Sequence, residues 1–165
     1  MRRTSLSGSP CPVARALDAI GDWWSLLIIR DAFDGVRRFN DFQKSLGVSR
    51  GILTTRLQAL VALRILRCAP ASDGSAYLEY ILTQKGLDLF PVVVTLRQWG
   101  EGHCFGRGEQ HSVLVENETG RPVGRVEVRS EDGQLLAASG TSVKKLRIAP
   151  LAIKRSKGPA RLRVD

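Results

Sequence analysis

Residues Arg37–Arg67 read "RRFNDFQKSLGVSRGILTTRLQALVALRILR", followed by "APASDGSA" at 69–76 and "YLEYILT" at 77–83. The first phrase predicts two short helices about a tight turn. Asn40 gives the first helix a polar start, Phe42 and Leu46 its apolar side and Gly47 its end, and Ser49 caps the next. In the second helix Leu53, Leu57 and Leu60 recur at i, i+4 and i+7, a single buried stripe. The opposite face holds Gly51, Thr54, Thr55, Gln58 and Ala62, with Arg50 and Arg56 on its flanks. An ordinary surface helix carries Lys and Glu there. Small side chains let a helix enter a groove, and Thr and Gln can hydrogen-bond base edges. Leu66–Cys68 and Leu78–Leu82, around Asp73-Gly74, predict a two-stranded hairpin, a wing. Helix, turn, helix, wing is an order of elements suited to reading DNA.

Outward from this stretch the chain divides simply. Residues 1–10 are Ser/Gly-rich and read as a loose tail. Cys11-Pro12 begins a helix whose apolar face is Val13, Ala16, Leu17 and Ile20, and Gly21 stops it. Asp22 is placed to cap Trp23–Phe33, "WWSLLIIRDAF", which is apolar on almost every side and belongs in the centre of a core. Beyond the wing, Thr83 caps a long helix running to Cys104, with Pro91 as a kink or local irregularity. Its apolar residues cover too wide an arc for one domain to bury. A second subunit is therefore expected on Leu87, Phe90, Val94 and Trp99; the alternative is that the C-terminal region folds back over this surface. From Gly106 short β-type runs (112–116, 123–129 and 134–138) alternate with the turn pairs Thr119-Gly120 and Asp132-Gly133. The expected organisation is a winged helix-turn-helix with its dimerisation helix over 11–105, a small β-hairpin or meander extension over 106–143, and a basic tail over 144–165. The fold class is mainly α with a β wing, plus a small β-rich C-terminal extension.

Bulk properties agree with that reading. The 165 residues are 43% apolar, enough for a true core, and carry a net charge of +9 that favours a polyanionic partner. The last 22 residues hold eight Lys/Arg against one acid, Asp165. The apolar run Trp23–Ile29 is far short of the roughly 20 residues that span a bilayer. Arg2-Arg3 is not followed by the apolar segment an export signal needs. Cys11, Cys68 and Cys104 are odd in number and lack CxxC spacing, which speaks against a disulfide scaffold and for a reducing cytoplasm. A DNA-reading protein there is expected at the nucleoid.

Several phrases together resemble the HxlR-type winged helix-turn-helix transcriptional regulators of bacteria. They are Cys11-Pro12, "ALDAIGDWWSLLIIRDAFDGVRRFNDF", "LGVSRGILTTRLQALVALRIL", "EYILTQKG" and Trp99-Gly100, spanning Cys11–Gly100. The resemblance implies a homodimer that binds an inverted-repeat operator in double-stranded DNA, often as a repressor. Two departures stand out. Similar proteins usually carry a basic residue just before the wing's Glu-Tyr, where Tyr77 and Leu78 stand here, so "ASDGSAYLEY" has no positive charge. Longer relatives can carry C-terminal cysteine pairs resembling a zinc ribbon, and here that region has only Cys104.

The DNA-contact candidates are Arg37, Arg38, Ser49, Arg50, Thr54, Thr55, Arg56 and Gln58, since a recognition helix presents its N-terminal half to bases while flanking cations meet phosphates. For Arg38 and Arg56 the alternative is a structural ion pair with an acid such as Asp31, Asp34 or Asp41. Cys11 is the effector candidate, because a helix start stabilises a thiolate and some similar proteins sense oxidants or electrophiles at this position. Plain packing is the competing reading. Trp23, Trp24 and Trp99 could line a small-ligand pocket or simply fill the core. His103, Cys104 and His111 lack a fourth ligand, so neither a metal nor another cofactor is expected. No Gly-rich phosphate loop, nucleophile elbow or paired carboxylates suggest an enzyme. A winged helix serving only protein–protein contacts is the main alternative function.

Overall fold

The structure is a computed structural model that describes residues 5–144. Pro12 at the first helical position starts α1 (Pro12–Ile20), which Gly21 ends. The Asp22 carboxylate accepts from Ser25 N and opens α2 (Trp23–Phe33). Next come α3 (Phe39–Leu46) and α4 (Arg50–Ala62). Gly47 adopts the left-handed backbone, φ 61°, that lets the chain reverse between them. Strand β1 (Leu66–Pro70) pairs antiparallel with β2 (Leu78–Leu82) in the register Leu66↔Leu82, Cys68↔Tyr80 and Pro70↔Leu78. β1 thus runs to Pro70, two residues past the expected end at Cys68. A proline is tolerated at that outer position because no further strand needs its missing N–H.

α2 is the centre of the first unit, packing against α1, α3, α4, β2 and the helix α6 (Phe90–His103). Ile28 and Ile29 from α2, Phe42 from α3, and Leu53, Leu57 and Leu60 from α4 are essentially inaccessible to solvent and join Ile65 and Leu66 in one cluster. Each such side chain contributes about 1.5–3 kcal/mol by burial. The α4 stripe read from the sequence is the buried face. α2 is less enclosed than its composition suggests, because Trp23 in its first turn is 71% exposed. The wing is also tied to the helices, since Tyr80 N donates to Arg37 O at 2.8 Å.

The helix expected over Thr83–Cys104 is two helices, α5 (Gln84–Leu87) and α6 (Phe90–His103). In an unbroken helix the Pro91 ring would press on the Leu87 carbonyl and leave it without its hydrogen bond; instead Pro91 opens α6. Thr83 is the α5 cap, accepting from Gly86 N and donating to Arg64 O at 2.6 Å. Gly86 is required there by close approach: a Cβ would lie 2.3 Å from Ile65 O.

The first compact unit continues to Val126. Residues 112–126 lie against α6: an Arg97 guanidinium nitrogen donates to Ser112 O and, at 2.7 Å, to Ser112 Oγ. Gln98 donates to Gly124 O at 2.9 Å and accepts from Val126 N at 2.8 Å. A second unit begins at Glu127. Each unit holds one turn where the sequence places it, at Gly120 (φ 66°) and Gly133 (φ 79°). The continuous strands expected in the extension are not formed; single bridges, Val115↔Pro122 and Arg129↔Leu135, stand in their place. Val113, Val115, Val126, Val128 and Leu135 stay 42–64% exposed, and these short segments bury too little apolar surface to sustain a ladder. Of the basic tail, residues 145–165 lie outside the described residues. No helix among the described residues is long and apolar enough to cross a membrane.

Candidate nucleic-acid interface

α4 owes its position to both of its faces. Ser49 Oγ accepts from Ile52 N at the helix start, and buried Val48 plugs the turn before it. With Leu53, Leu57 and Leu60 sunk in the core, Gly51, Thr54, Thr55 and Gln58 stand exposed on the outer side. Thr55 spends its hydroxyl proton on Gly51 O at 2.9 Å, so it turns only acceptor lone pairs and a methyl outward. Thr54 and Gln58 have no hydrogen-bond partner among the described residues and keep their full capacity for an external one.

The arginines divide into different roles. Arg50 lies over the Phe39 ring, 4.9 Å from its centroid, which holds the cation at the edge of the α3–α4 turn. Arg56 turns inward to Asp22 at 3.1 Å and joins α4 to the start of α2. Arg38 is bonded to Asp73 at the wing tip and stands 3.9 Å from Glu79. Arg37 faces Glu79 at 3.7 Å with its side chain half exposed. Structural pairing of Arg38 and Arg56 thus occurs, but not with Asp31, Asp34 or Asp41. Asp31 is instead engaged by its neighbour Arg30 at 2.6 Å. The partners come from elements distant in sequence, which local spacing could not indicate.

Two acids organise this surface, and in the sequence they mark only a turn and a short motif. Glu79 is buried and accepts from Ser72 N (3.3 Å) and Ser72 Oγ (3.1 Å), so one carboxylate fixes the wing loop and faces both Arg37 and Arg38. Asp73 accepts from Arg38 and from Ser75, and these bonds, Arg38's first, hold its carboxyl far below the usual carboxylate range. The same bond raises the Arg38 pKa. The only sequence sign of Asp73 was its place before Gly74.

Elsewhere the candidates separate. Leu87, Phe90 and Trp99 are 43–57% exposed, whereas Val94 is 3% exposed and packed inside the chain. Pro91, Val92, Thr95, Leu96 and Trp99 line an open apolar depression on the free side of α6. Residues 112–126 cover one side of this helix, as the fold-back alternative has it, and an apolar side remains bare. Cys11 is the exposed N-cap of α1, its N–H donated to Ser9 Oγ, and Cys68 and Cys104 are also free and exposed. Trp24 packs on the core, while Trp99 stacks on His103 at 5.1 Å. His103 and His111 are each engaged through Nδ1 with a carbonyl, and among the described residues no three potential ligands converge for a metal.

A capped second helix of a helix-turn-helix beside a two-stranded wing has counterparts among known proteins. The HxlR-like helix-turn-helix profile matches residues 19–107. The chain belongs to that family. It is 46% identical over 89 residues to MT3179 of Mycobacterium tuberculosis (strain CDC 1551 / Oshkosh), named an uncharacterized HTH-type transcriptional regulator; the match covers 54% of this chain and 56% of that protein. The chain thus spans about half the length of the first curated relatives it matches. The crystal structure of PA1607, described as a candidate transcription factor, superposes with a TM-score of 0.81 at 51% identity, covering 86% of this chain and 99% of that one. The redox regulator HypR in its reduced form gives a TM-score of 0.52 at 32% identity, over 57% of this chain and 94% of HypR. As an HxlR-like protein, the chain has a winged helix of the kind these bacterial regulators share.

Proposed function

We propose that the protein is a transcriptional regulator that binds duplex DNA sequence-specifically as a homodimer on an inverted repeat, with one α4 helix per half-site. The observation that carries this reading is the outer face of α4. It is exposed, free of ion pairs, built from Gly51, Thr54, Thr55 and Gln58, and set opposite three leucines with no solvent access. Thr54 and Gln58 read base edges, Arg50 and Arg37 meet phosphates, and Ser49 and Arg56 hold the helix in place. The bare apolar side of α6 pairs the protomers and spaces the two readers about one helical turn (~34–36 Å) apart. Occupancy of a promoter would repress the gene beside it. Kinship with HypR supports release by an oxidant or electrophile at Cys11, with a small ligand as the other candidate effector.

The experiment is a gel shift across a salt series on the promoter upstream of the protein's own gene, against random duplex. Thr54→Ala with Gln58→Ala should weaken promoter binding by about 10-fold or more and leave random-DNA binding nearly unchanged, since a good base contact discriminates by ~1–3 kcal/mol. Equal losses on both DNAs would place the reading face elsewhere. A second reading, a winged helix acting through protein–protein contacts, is favoured by the cation-free wing loop over residues 69–80 and its acidic tip. It would be preferred if wild type and variants bind no duplex at low salt.

A further inference from the structure

The wing and the start of α3 enclose an open cleft of about 570 Å³ that carries two guanidiniums, Arg38 and Arg50, among Phe39, Asn40, Tyr77 and Tyr80. Arg50 is fixed on Phe39, and Arg38 lies 6.0 Å from the Tyr77 ring centroid. The cleft opens beside the N-terminal end of α4, where the sugar–phosphate backbone would pass if α4 sat in a major groove. Yet Arg38 already has an anion, the carboxylate of Asp73, delivered by the wing tip from 35 residues away. Both side chains remain solvent-accessible, 36% and 54%, so the pair is of the exposed kind that opens readily.

We propose that this cleft is the seat for one backbone phosphate of duplex DNA, and that in the free protein Asp73 occupies Arg38 as a stand-in for that phosphate. The inference rests on the reading of α4 as a DNA-binding helix and adds a contact and its control. A carboxylate and a phosphate present the same kind of acceptor oxygens to a guanidinium, so the exchange keeps Arg38 satisfied throughout. It also explains how a wing loop without a cation of its own, residues 69–80, can take part in binding, by giving up an arginine held in reserve. The exchange has an electrostatic signature. Arg38 on phosphate displaces one condensed counterion whether or not Asp73 is present, because a lone surface carboxylate condenses none in return. Asp73 therefore competes for Arg38 and lowers affinity, while the salt dependence reports the Arg38 contact itself.

The test compares wild type, Asp73→Asn, Arg38→Ala and the double variant on promoter and random duplex across a salt series, with circular dichroism confirming the fold and Asp73→Ser as a second variant. Asp73→Asn should bind several-fold tighter on both DNAs, and Arg38→Ala should flatten the log–log salt slope by about 0.9, one phosphate contact. In the Arg38→Ala background the gain should vanish. Asp41→Asn, removing another exposed acid that lines the cleft, should not reproduce it. Unchanged or weaker binding by folded Asp73→Asn would overturn the proposal. So would a gain that survives without Arg38, because that would be a general effect of net charge. If neither wild type nor Asp73→Asn binds any duplex at low salt, the DNA reading itself fails and takes this inference with it. Binding by Asp73→Asn alone would support both.

Discussion

Replacing Glu79 should loosen the wing and destabilise the winged helix together, because a single buried carboxylate serves both. Its side chain is 5% exposed, receives two hydrogen bonds from Ser72, and lies within 4 Å of two arginines. Hydrogen bonds to a charged group contribute about 1.5–3 kcal/mol each, and the 3.3 Å bond from Ser72 N belongs at the weak end. The arginine contacts are discounted to about 0–1 kcal/mol each, since Arg37 and Arg38 are 52% and 36% exposed and water can take over their solvation. Glu79→Ala should therefore cost about 3 kcal/mol, lowering the thermal midpoint by on the order of 10 °C. Glu79→Gln keeps one acceptor for Ser72 but turns amide hydrogens toward Arg37, so about 1–2 kcal/mol should be lost. The assay is urea unfolding followed by far-UV circular dichroism, with amide exchange at Ala71 and Tyr80 as a local readout of the wing. Glu79→Ala within about 0.5 kcal/mol of wild type, a normal surface effect, with unchanged exchange would refute the reasoning.

Three further outcomes follow from the same geometry. Leu96→Glu with Trp99→Glu places charge on the bare side of α6 and should leave a folded monomer by light scattering at micromolar concentration; a persistent dimer would move the interface off this helix. Cys11→Ser should bind promoter DNA normally but no longer respond to peroxide or diamide, and equal oxidant sensitivity in both proteins would rule Cys11 out. For Asp73, whose carboxyl is held below its usual range by Arg38 and Ser75, the sign is that of a depressed acid. Its contribution is fully present above the unfolded value of about 3.9 and is lost only as pH falls through the lower folded value. A carboxyl-carbon NMR titration should show Asp73 still ionised at pH 4, and a midpoint at or above the free value would contradict the Arg38 bond.

The elements whose causes are short-range were legible in the sequence. Ser49, Asp22 and Thr83 cap the helices they precede, and Leu53, Leu57 and Leu60 form the buried stripe of α4. These follow from hydrogen bonds and periodicities that act over three or four residues and do not depend on the rest of the chain. The same holds for the outer face of α4, which is simply what the stripe leaves over. Which charges are available on that surface was decided by tertiary structure. Arg38 and Arg56 look alike in sequence, yet Asp73 and Asp22 reach them only because the wing tip folds against the start of α3 and the α1–α2 joint against α4. α6 shows the same limit: its apolar residues announce burial, but only the docking of residues 112–126 on Arg97 and Gln98 separates inward-facing Val94 from exposed Leu96 and Trp99. Periodicity reports that a face must be covered. What covers it, and which ions meet across the fold, depends on elements far apart in the chain, and only their assembly in space brings those groups within reach.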